Sequence, residues 1–441
     1  MLDCFKKQVL KKNTEMNSPK LLEQINSLGH EARVASRLLA KSSTEAKNLA
    51  LLNISEALLS RRDMILASNR LDYEAALKKD PNPVNADRLM LNAERLAAMA
   101  AGVRNVVNLN DPIGEAFDET TLENGLSLKK RRVPLGIIGV IYESRPNVTV
   151  EVASLCLKTG NATILRGGSE ALNTNKALVV CIKEAISDAG LPSGSIQFIE
   201  STDRTVVNHM LKMRDYIDLL IPRGSESLVR LVADKATMPA ITGGIGVSHT
   251  YIDSDADLDK ALAIALNAKV QRPSVCNALD TILVHSAVAS EYLPRLAEVW
   301  IQSGVTLHID SRAMSVLESL RNPSIVAAKD EDWGREYLSL DAAVKVVDSI
   351  DEALSHIETY GSAHSEAIVT ESDNAANRFL DEVDAAAVFV NASTRFTDGG
   401  EFGLGAEVAI STDKIHARGP MGLKEITSYK WTVVGTGQVR L

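Results

Sequence analysis

Of the four cysteines, Cys4, Cys156, Cys181 and Cys276, one stands in a setting suited to nucleophilic chemistry. The run Gln271-Arg272-Pro273-Ser274-Val275-Cys276-Asn277 puts Cys276 in a proline-interrupted loop between a helical and a strand pattern. Cys156 and Cys181 lie inside helical patterns among Leu, Val and Ile, where a thiol serves as a small core hydrophobe. Cysteine attacks as its thiolate, which a neighbouring cation favours, and Arg272 is a candidate for that cation. Inert packing is the competing role for any single cysteine, and loop position alone does not remove it.

Two further segments have the makings of an anion site. Arg166-Gly167-Gly168-Ser169-Glu170 follows one apolar strand pattern and precedes a helix, and Ile221-Pro222-Arg223-Gly224-Ser225 has the same placement after another. Glycine lets a ligand approach the backbone, and a helix N-terminus offers unpaired N–H groups to an anion. Either segment alone is equally a tight strand-to-helix turn; two such basic turns at one sheet edge are the stronger signal. No GxGxxG follows the first strand, so the common dinucleotide fingerprint is missing.

The rest of the chain must position these residues. Lys and Arg number 48 against 57 Asp and Glu, a net charge of −9, which argues against a nucleic-acid surface. Hydrophobic residues at 45% and charged residues at 24% are ordinary globular values that supply a large core. The cysteines show no CxxC pairing and the eight histidines no metal spacing, so neither a disulfide framework nor a metal site is expected. No export signal and no apolar run of membrane-spanning length is evident, which makes the cytoplasm the expected compartment.

The first hundred residues read as helices, with Leu21, Leu22, Ile25 and Leu28 on one face and Ser42-Ser43-Thr44-Glu45 as a capping box. Residues 115–132 alternate in polarity and suggest a protruding hairpin. From Val133, short apolar strands at 135–141, 162–165, 196–199 and 217–221 alternate with helices at 148–159, 171–189 and 203–213. That succession predicts a doubly wound parallel α/β sheet, whose ligands bind beyond the carboxyl ends of the strands. A second α/β unit follows Gly243-Gly244, with strands at 247–252 and 281–285 and a helix at 257–270, and a strand-like run closes the chain at 428–439.

Val133-Pro134-Leu135-Gly136 through Asn147, followed by Gly160-Asn161-Ala162-Thr163-Ile164-Leu165-Arg166, resembles the core of the aldehyde dehydrogenase superfamily. The stretch Asp348 to Ile357 continuing to Tyr360-Gly361-Ser362-Ala363-His364-Ser365-Glu366 resembles one branch, the glutamate-5-semialdehyde dehydrogenases or γ-glutamyl phosphate reductases. Glu401-Phe402-Gly403-Leu404-Gly405-Ala406-Glu407 and His416-Ala417-Arg418-Gly419-Pro420-Met421-Gly422-Leu423 are similar to the same branch. The resemblance implies an α/β, aldehyde dehydrogenase-like fold with two doubly wound parallel-sheet domains and a small oligomerisation arm. Residues 15–114 and 133–244 would form the cofactor domain, 245–397 the catalytic domain, and 115–132 with 398–441 the arm and C-terminal segment.

Residue by residue, the resemblance implies that Cys276 is the nucleophile and Asn147 the donor to the oxyanion. It places Arg166, Gly167, Ser169, Gly224, Ser225 and Glu336 around the cofactor, and leaves Arg145, Arg272 and Arg395, with Arg418, as cations for an anionic substrate. Arg166 stands where many relatives carry a lysine; a bidentate arginine suits a 2′-phosphate, so NADP, as NADPH, is the expected cofactor. Hydrolytic members keep a glutamate before Leu-Gly-Gly, whereas this chain reads Ala240-Ile241-Thr242-Gly243-Gly244, with Ile241 in place of the base. Without that base a thioester resists water, since general base catalysis typically contributes about a hundredfold to ten-thousandfold.

The implied reaction is NADPH-dependent reduction of γ-glutamyl phosphate to glutamate 5-semialdehyde and phosphate through a Cys276 thioester, in proline biosynthesis. The alternatives are a hydrolytic NAD(P)-dependent dehydrogenase producing a free acid, and a catalytically silent protein on the same fold. The implied partners are a small-molecule substrate, further copies of the chain as a homo-oligomer, and a transient contact with a glutamate kinase. His356 and His364 are read as structural or supporting groups.

Overall fold

The computed structural model describes residues 2–79, 87–243 and 245–440, so Pro81-Asn82-Pro83 and Gly244 lie outside the described residues. The chain divides into two compact units. The first comprises Met1–Thr242, Leu404–Ala409 and Met421–Leu441; the second comprises Gly243–Gly403 and Ile410–Pro420. Residues 398–403 and 410–420 thus fold with the second unit rather than with the 115–132 segment.

In the first unit, the expected helical start is present with one change. Ser43, not Ser42, is the N-cap of the helix Thr44–Ser60, its hydroxyl accepting from Ala46 N–H at 3.2 Å. Glu45 is therefore one position short of closing a capping box, and its carboxylate is held below the usual range by its own N–H and the Ser43 hydroxyl. Ile25 of the long first helix packs against Ile137 and Met213, as its apolar face predicts. An antiparallel hairpin, β1 (Ala116–Thr121) and β2 (Ser127–Pro134), joins the C-terminal strand Thr427–Val434 in a three-stranded sheet.

The parallel sheet of this unit contains β3 (Ile137–Tyr142), β4 (Ala162–Gly167), β5 (Ile196–Phe198) and β6 (Leu219–Arg223), in the order β5-β4-β3-β6. Every residue of β3 is buried, which is why it reads as an unbroken apolar run: helices cover both faces. Helices Asn147–Lys158 and Leu172–Asp188 are followed by Gly160 and Gly190 at φ +72° and +74°, conformations that glycine takes without a Cβ clash. β6 begins two residues later than the apolar run, because Asp218 is engaged with Arg33 at 2.8 Å and with Ile137 N–H at 2.7 Å. It then extends through Pro222, which the edge position of β6 tolerates.

The second unit is built on seven parallel strands: β7 (Ser248–Ile252), β8 (Leu279–His285), β9 (Thr306–Ile309), β10 (Ile325–Ala327), β11 (Asp341–Val347), β12 (Ser365–Val369) and β13 (Ala387–Val390). Their order is β10-β9-β11-β8-β7-β12-β13. On one face Ile282 and Val284 pack with Tyr292, Leu296 and Trp300; on the other Leu283 and Tyr251 pack with Ile357 and Phe379. The period-two alternation of β8 thus feeds two separate cores. Among the described residues no helix is long and apolar enough to cross a membrane.

Candidate active site

In the first unit, Tyr142 pairs with both Gly167 and Arg223, so β3, β4 and β6 end level. The turns after them bring Arg145 and Asn147, Arg166 to Ser169, and Gly224 with Ser225 to one carboxyl edge. Sheet order reverses between β3 and β6, the place where doubly wound sheets take ligands. Ser225 is the N-cap of the helix Glu226–Lys235 but makes no side-chain cap bond within it. Its N–H instead donates to Glu143 Oε2 at 2.7 Å, and a Cβ on Gly224 would run into the Glu143 side chain.

Arg166 is half-buried beside these turns, and its Nε has no hydrogen-bond partner among the described residues. Burial disfavours its charge, while Glu170 and Glu143 oppose that effect. A cation with an unused donor, a glycine turn and the first N–H groups of a helix fit the phosphates of a dinucleotide. Ser144, at φ +52°, donates its N–H and hydroxyl to Glu170 Oε1 at 2.7 and 3.1 Å. Asn147 opens the helix Asn147–Lys158, and its Nδ2 donates to Glu151 Oε1 at 2.7 Å, which orients the amide. Arg145 and Ser169 are exposed.

In the second unit Cys276 is half-exposed in the loop between the helix Leu258–Val270 and β8. Cys156 and Cys181 are buried, as expected, and burial pushes the Cys156 thiol up to about 12 and Cys181 upward as well. Its loop precedes β8, so Cys276 lies at the amino end of that strand, as a helix-to-strand loop of a parallel sheet must. Gly246, just before β7, passes so close to the Cys276 carbonyl that a Cβ there would collide with it. The Gly246 N–H donates to Glu336 Oε1 at 3.0 Å, and the Ser248 hydroxyl to the Cys276 carbonyl at 3.4 Å.

Arg395 reaches the same loop, with Nε donating to Gln271 Oε1 at 3.0 Å and Nη1 to Asn277 Oδ1. Arg272 is exposed and lowers the Arg395 pKa, second only to burial. Arg418 is committed elsewhere, donating to Asp384 Oδ1 at 2.7 Å. The structure therefore gathers Cys276, Glu336, Arg272 and Arg395 in the second unit. Ile241, in the first unit, is 2% exposed, with its N–H on Leu220 O at 2.9 Å, so an apolar core residue occupies that position.

His356 and His364 are buried. His356 Nδ1 faces Lys345 Nζ at 3.2 Å, its ring meets Trp333 edge-on and Tyr360 at a tilt, and His364 Nδ1 pairs with the Ser365 hydroxyl at 2.8 Å. Burial drives them down to about 3 and about 4, so both are neutral structural groups at physiological pH.

The model of the aldehyde dehydrogenase family matches residues 14–311. A γ-glutamyl phosphate reductase of Dehalococcoides mccartyi (strain CBDB1) is 53% identical over 421 residues, covering 96% of this chain and 99% of the relative. That of Proteus mirabilis (strain HI4320) is 53% identical over 420 residues, covering 95% and 100%. The crystal structure of the Thermotoga maritima γ-glutamyl phosphate reductase superposes with a TM-score of 0.91 at 46% identity, covering 94% and 99%. The chain belongs to the γ-glutamyl phosphate reductase family.

Membership of this branch of the aldehyde dehydrogenases makes the protein an oxidoreductase that works with a nicotinamide cofactor, on the aldehyde dehydrogenase fold. Several residues that shape the edges of this family's fold are hard to see in the sequence. Glu143 and Glu170, which receive the turn N–H groups, look like ordinary acidic turn residues. Lys269 and Asp280 leave a better trace: each is a charge set among apolar residues next to the loop that carries Cys276, and both are buried. Asn277 directly follows Cys276, which is its only mark in the sequence.

Proposed function

We propose that this chain reduces γ-glutamyl phosphate to glutamate 5-semialdehyde and phosphate with NADPH, in proline biosynthesis, with Cys276 as nucleophile. The observation that supports this most is the nucleophile loop itself. It is the setting among the described residues in which a half-exposed thiol stands with two arginines, while the position of the hydrolytic base holds buried Ile241.

The Cys276 thiolate attacks the acyl carbon, phosphate leaves, and a γ-glutamyl thioester remains on the sulfur. Asn147 donates its side-chain amide to the acyl oxygen as charge develops there; loss of one such donor costs about a hundredfold to a thousandfold in kcat. Arg395, Arg272 and Arg145 take the anionic groups of the substrate. With an apolar residue at 241, no carboxylate there activates water, and the thioester survives until it is reduced. Arg166, Gly167, Ser169, Gly224 and Ser225 hold the phosphates and adenosine end of the dinucleotide, and Glu336 its nicotinamide ribose. When bound, NADPH supplies the hydride that reduces the thioester. The bidentate guanidinium of Arg166 supports NADP over NAD, because it matches a 2′-phosphate.

The protein works in the cytoplasm as a homo-oligomer. The arm built from β1, β2 and the C-terminal strand supports this, since Tyr429, Trp431 and Val433 line one exposed face of an edge strand. A transient contact with a glutamate kinase would shield the labile acyl phosphate.

The test is the reverse reaction, NADPH formation from pyrroline-5-carboxylate and NADP, with and without inorganic phosphate, alongside Cys276→Ala. Phosphate-dependent formation that is lost in the variant is expected. Equal rates without phosphate would overturn the reading in favour of a hydrolytic dehydrogenase.

A further inference from the structure

The nucleophile loop is fastened to a distant turn by an unusually complete set of bonds. Asn277 is 4% exposed, and each of its polar groups that points toward residues 394–397 is used. Its Nδ2 donates to Thr397 O at 2.8 Å and to Arg395 O at 3.4 Å, and its own carbonyl accepts from the Thr394 hydroxyl at 2.8 Å. The turn is fixed from behind as well: the Ser365 hydroxyl, at the start of β12, donates to Thr397 Oγ1 at 2.7 Å. Both threonines are fully buried.

What this fastening holds in place is the Arg395 guanidinium. It donates to the side-chain oxygens of Gln271 and Asn277, two amides that flank Cys276 on the same loop. Neutral acceptors can fix the orientation of a guanidinium without neutralising it, whereas carboxylates would do both. The charged groups that face Arg395 are Arg272 on the nucleophile loop, Asp398 and Glu401 beyond the turn, and Cys276 itself. Glu336 and Asp280, which receive the Gly246 and Ser248 N–H groups, are the carboxylates on the other side of the loop.

We infer that Asn277 and Gln271 are positioning residues that hold the Arg395 guanidinium at the nucleophile loop as the counter-charge of the Cys276 thiolate. This rests on the reading of Cys276 as the nucleophile. A mobile arginine would spend its charge on water and on Asp398 and Glu401; a pinned one stays at the loop that carries the thiol, because the amides that hold it belong to that loop.

The experiment follows alkylation of Cys276 by iodoacetamide against pH in the full-length enzyme without substrate, with mass spectrometry to assign the label. Arg395→Gln and Asn277→Ala should each raise the midpoint by about one pH unit, the smallest shift expected for loss of an adjacent opposite charge. Labelling at neutral pH would fall accordingly, by about tenfold. Gln271→Leu, at an exposed position that the fold tolerates, should move the midpoint in the same direction by less, and it serves where Asn277→Ala fails to fold. A loosened loop would change the plateau rate at high pH without moving the midpoint. If the midpoint rises in Arg395→Gln but stays put in Asn277→Ala and Gln271→Leu, the positioning role is overturned. If it stays put in all of them, the counter-charge is overturned too. No substrate enters the measurement, so its outcome is separate from that of the acyl phosphate assay.

Discussion

Lys269 Nζ stands 3.9 Å from Asp280 Oδ1, both side chains are sealed from water, and the two residues bracket the loop that carries Cys276. Lys269 lies at the end of the helix before the loop and donates to Leu279 O at 2.9 Å. Asp280, in the strand after it, accepts from Tyr337 N–H at 3.0 Å and Ser248 N–H at 3.4 Å. A buried pair of this kind contributes little net stability, because desolvation offsets the attraction, but removing one partner strands the other. Its effect is to fix both ends of a loop whose middle must stay accessible.

Burial pushes Asp280 up to about 7, with Lys269 as the main opposing influence. The folded state therefore holds this proton more tightly than the unfolded chain, where an aspartate titrates near ~3.9. The stability it contributes is complete below about pH 4 and is lost as pH rises through about 7. Asp280→Asn cannot titrate, so guanidinium unfolding between those limits should show a shallower decline with pH than wild type. An unchanged slope would place that proton elsewhere.

The buried imidazoles act with the opposite sign. His356 is driven down to about 3, first by burial and then by His249 and Lys345. The unfolded imidazole takes up a proton below about pH 6.5 and the folded one does not, so stability is lost as pH falls below that value. His356→Phe preserves an aromatic ring against Trp333 and Tyr360. Acid titration followed by circular dichroism should show its unfolding midpoint at lower pH than wild type; a midpoint at higher pH would mean that the contact to Lys345 matters more than the proton.

The proposed function gives Arg166 the choice between NADPH and NADH. Hydrogen bonds to charged groups contribute about 1.5–3 kcal/mol, so Arg166→Gln should weaken NADPH binding by roughly tenfold to a hundredfold. NADH, which has no 2′-phosphate, should be affected by no more than a few-fold. Equilibrium fluorescence titration of both nucleotides checks this, and equal losses for the two would remove Arg166 from that role.

The arm presents Trp431 at 53% and Val433 at 54% exposure on one face of the C-terminal strand, and Lys130 lies over the Trp431 ring at 5.2 Å. Trp431→Glu with Val433→Glu places two like charges on that face. Sedimentation velocity should show a shift from the assembled species toward the single chain, with the melting of the rest of the fold little changed. An unaltered sedimentation profile would mean that assembly uses another surface.

Much of the fold was legible because β3, β4 and β8 are buried on both faces and so carry apolar runs such as Ile137–Tyr142, Ile164-Leu165 and Ile282–Val284, and because Gly160 and Gly190 stop their helices at positive φ. Strand ends were less legible, since polar residues with a private task interrupt the pattern, as Asp218 does at the start of β6. The turns after β4 and β6 were read as one edge from their shared placement. The partners of Cys276 were not, because periodicity says which residues form a helix or a strand and nothing about which distant residues reach the loop between them.

The sequence by itself determined the chemistry on offer by residue type and spacing: a loop cysteine and two basic glycine turns after apolar strands. These are properties of residue types and local spacing, which a chain carries before it folds. Only the tertiary structure decided which of them meet. Arg395 and Asn277 are 118 positions apart, and their pairing depends on the sheet order that sets β12 beside β7 and β7 beside β8. That order is a global packing solution that no local pattern encodes.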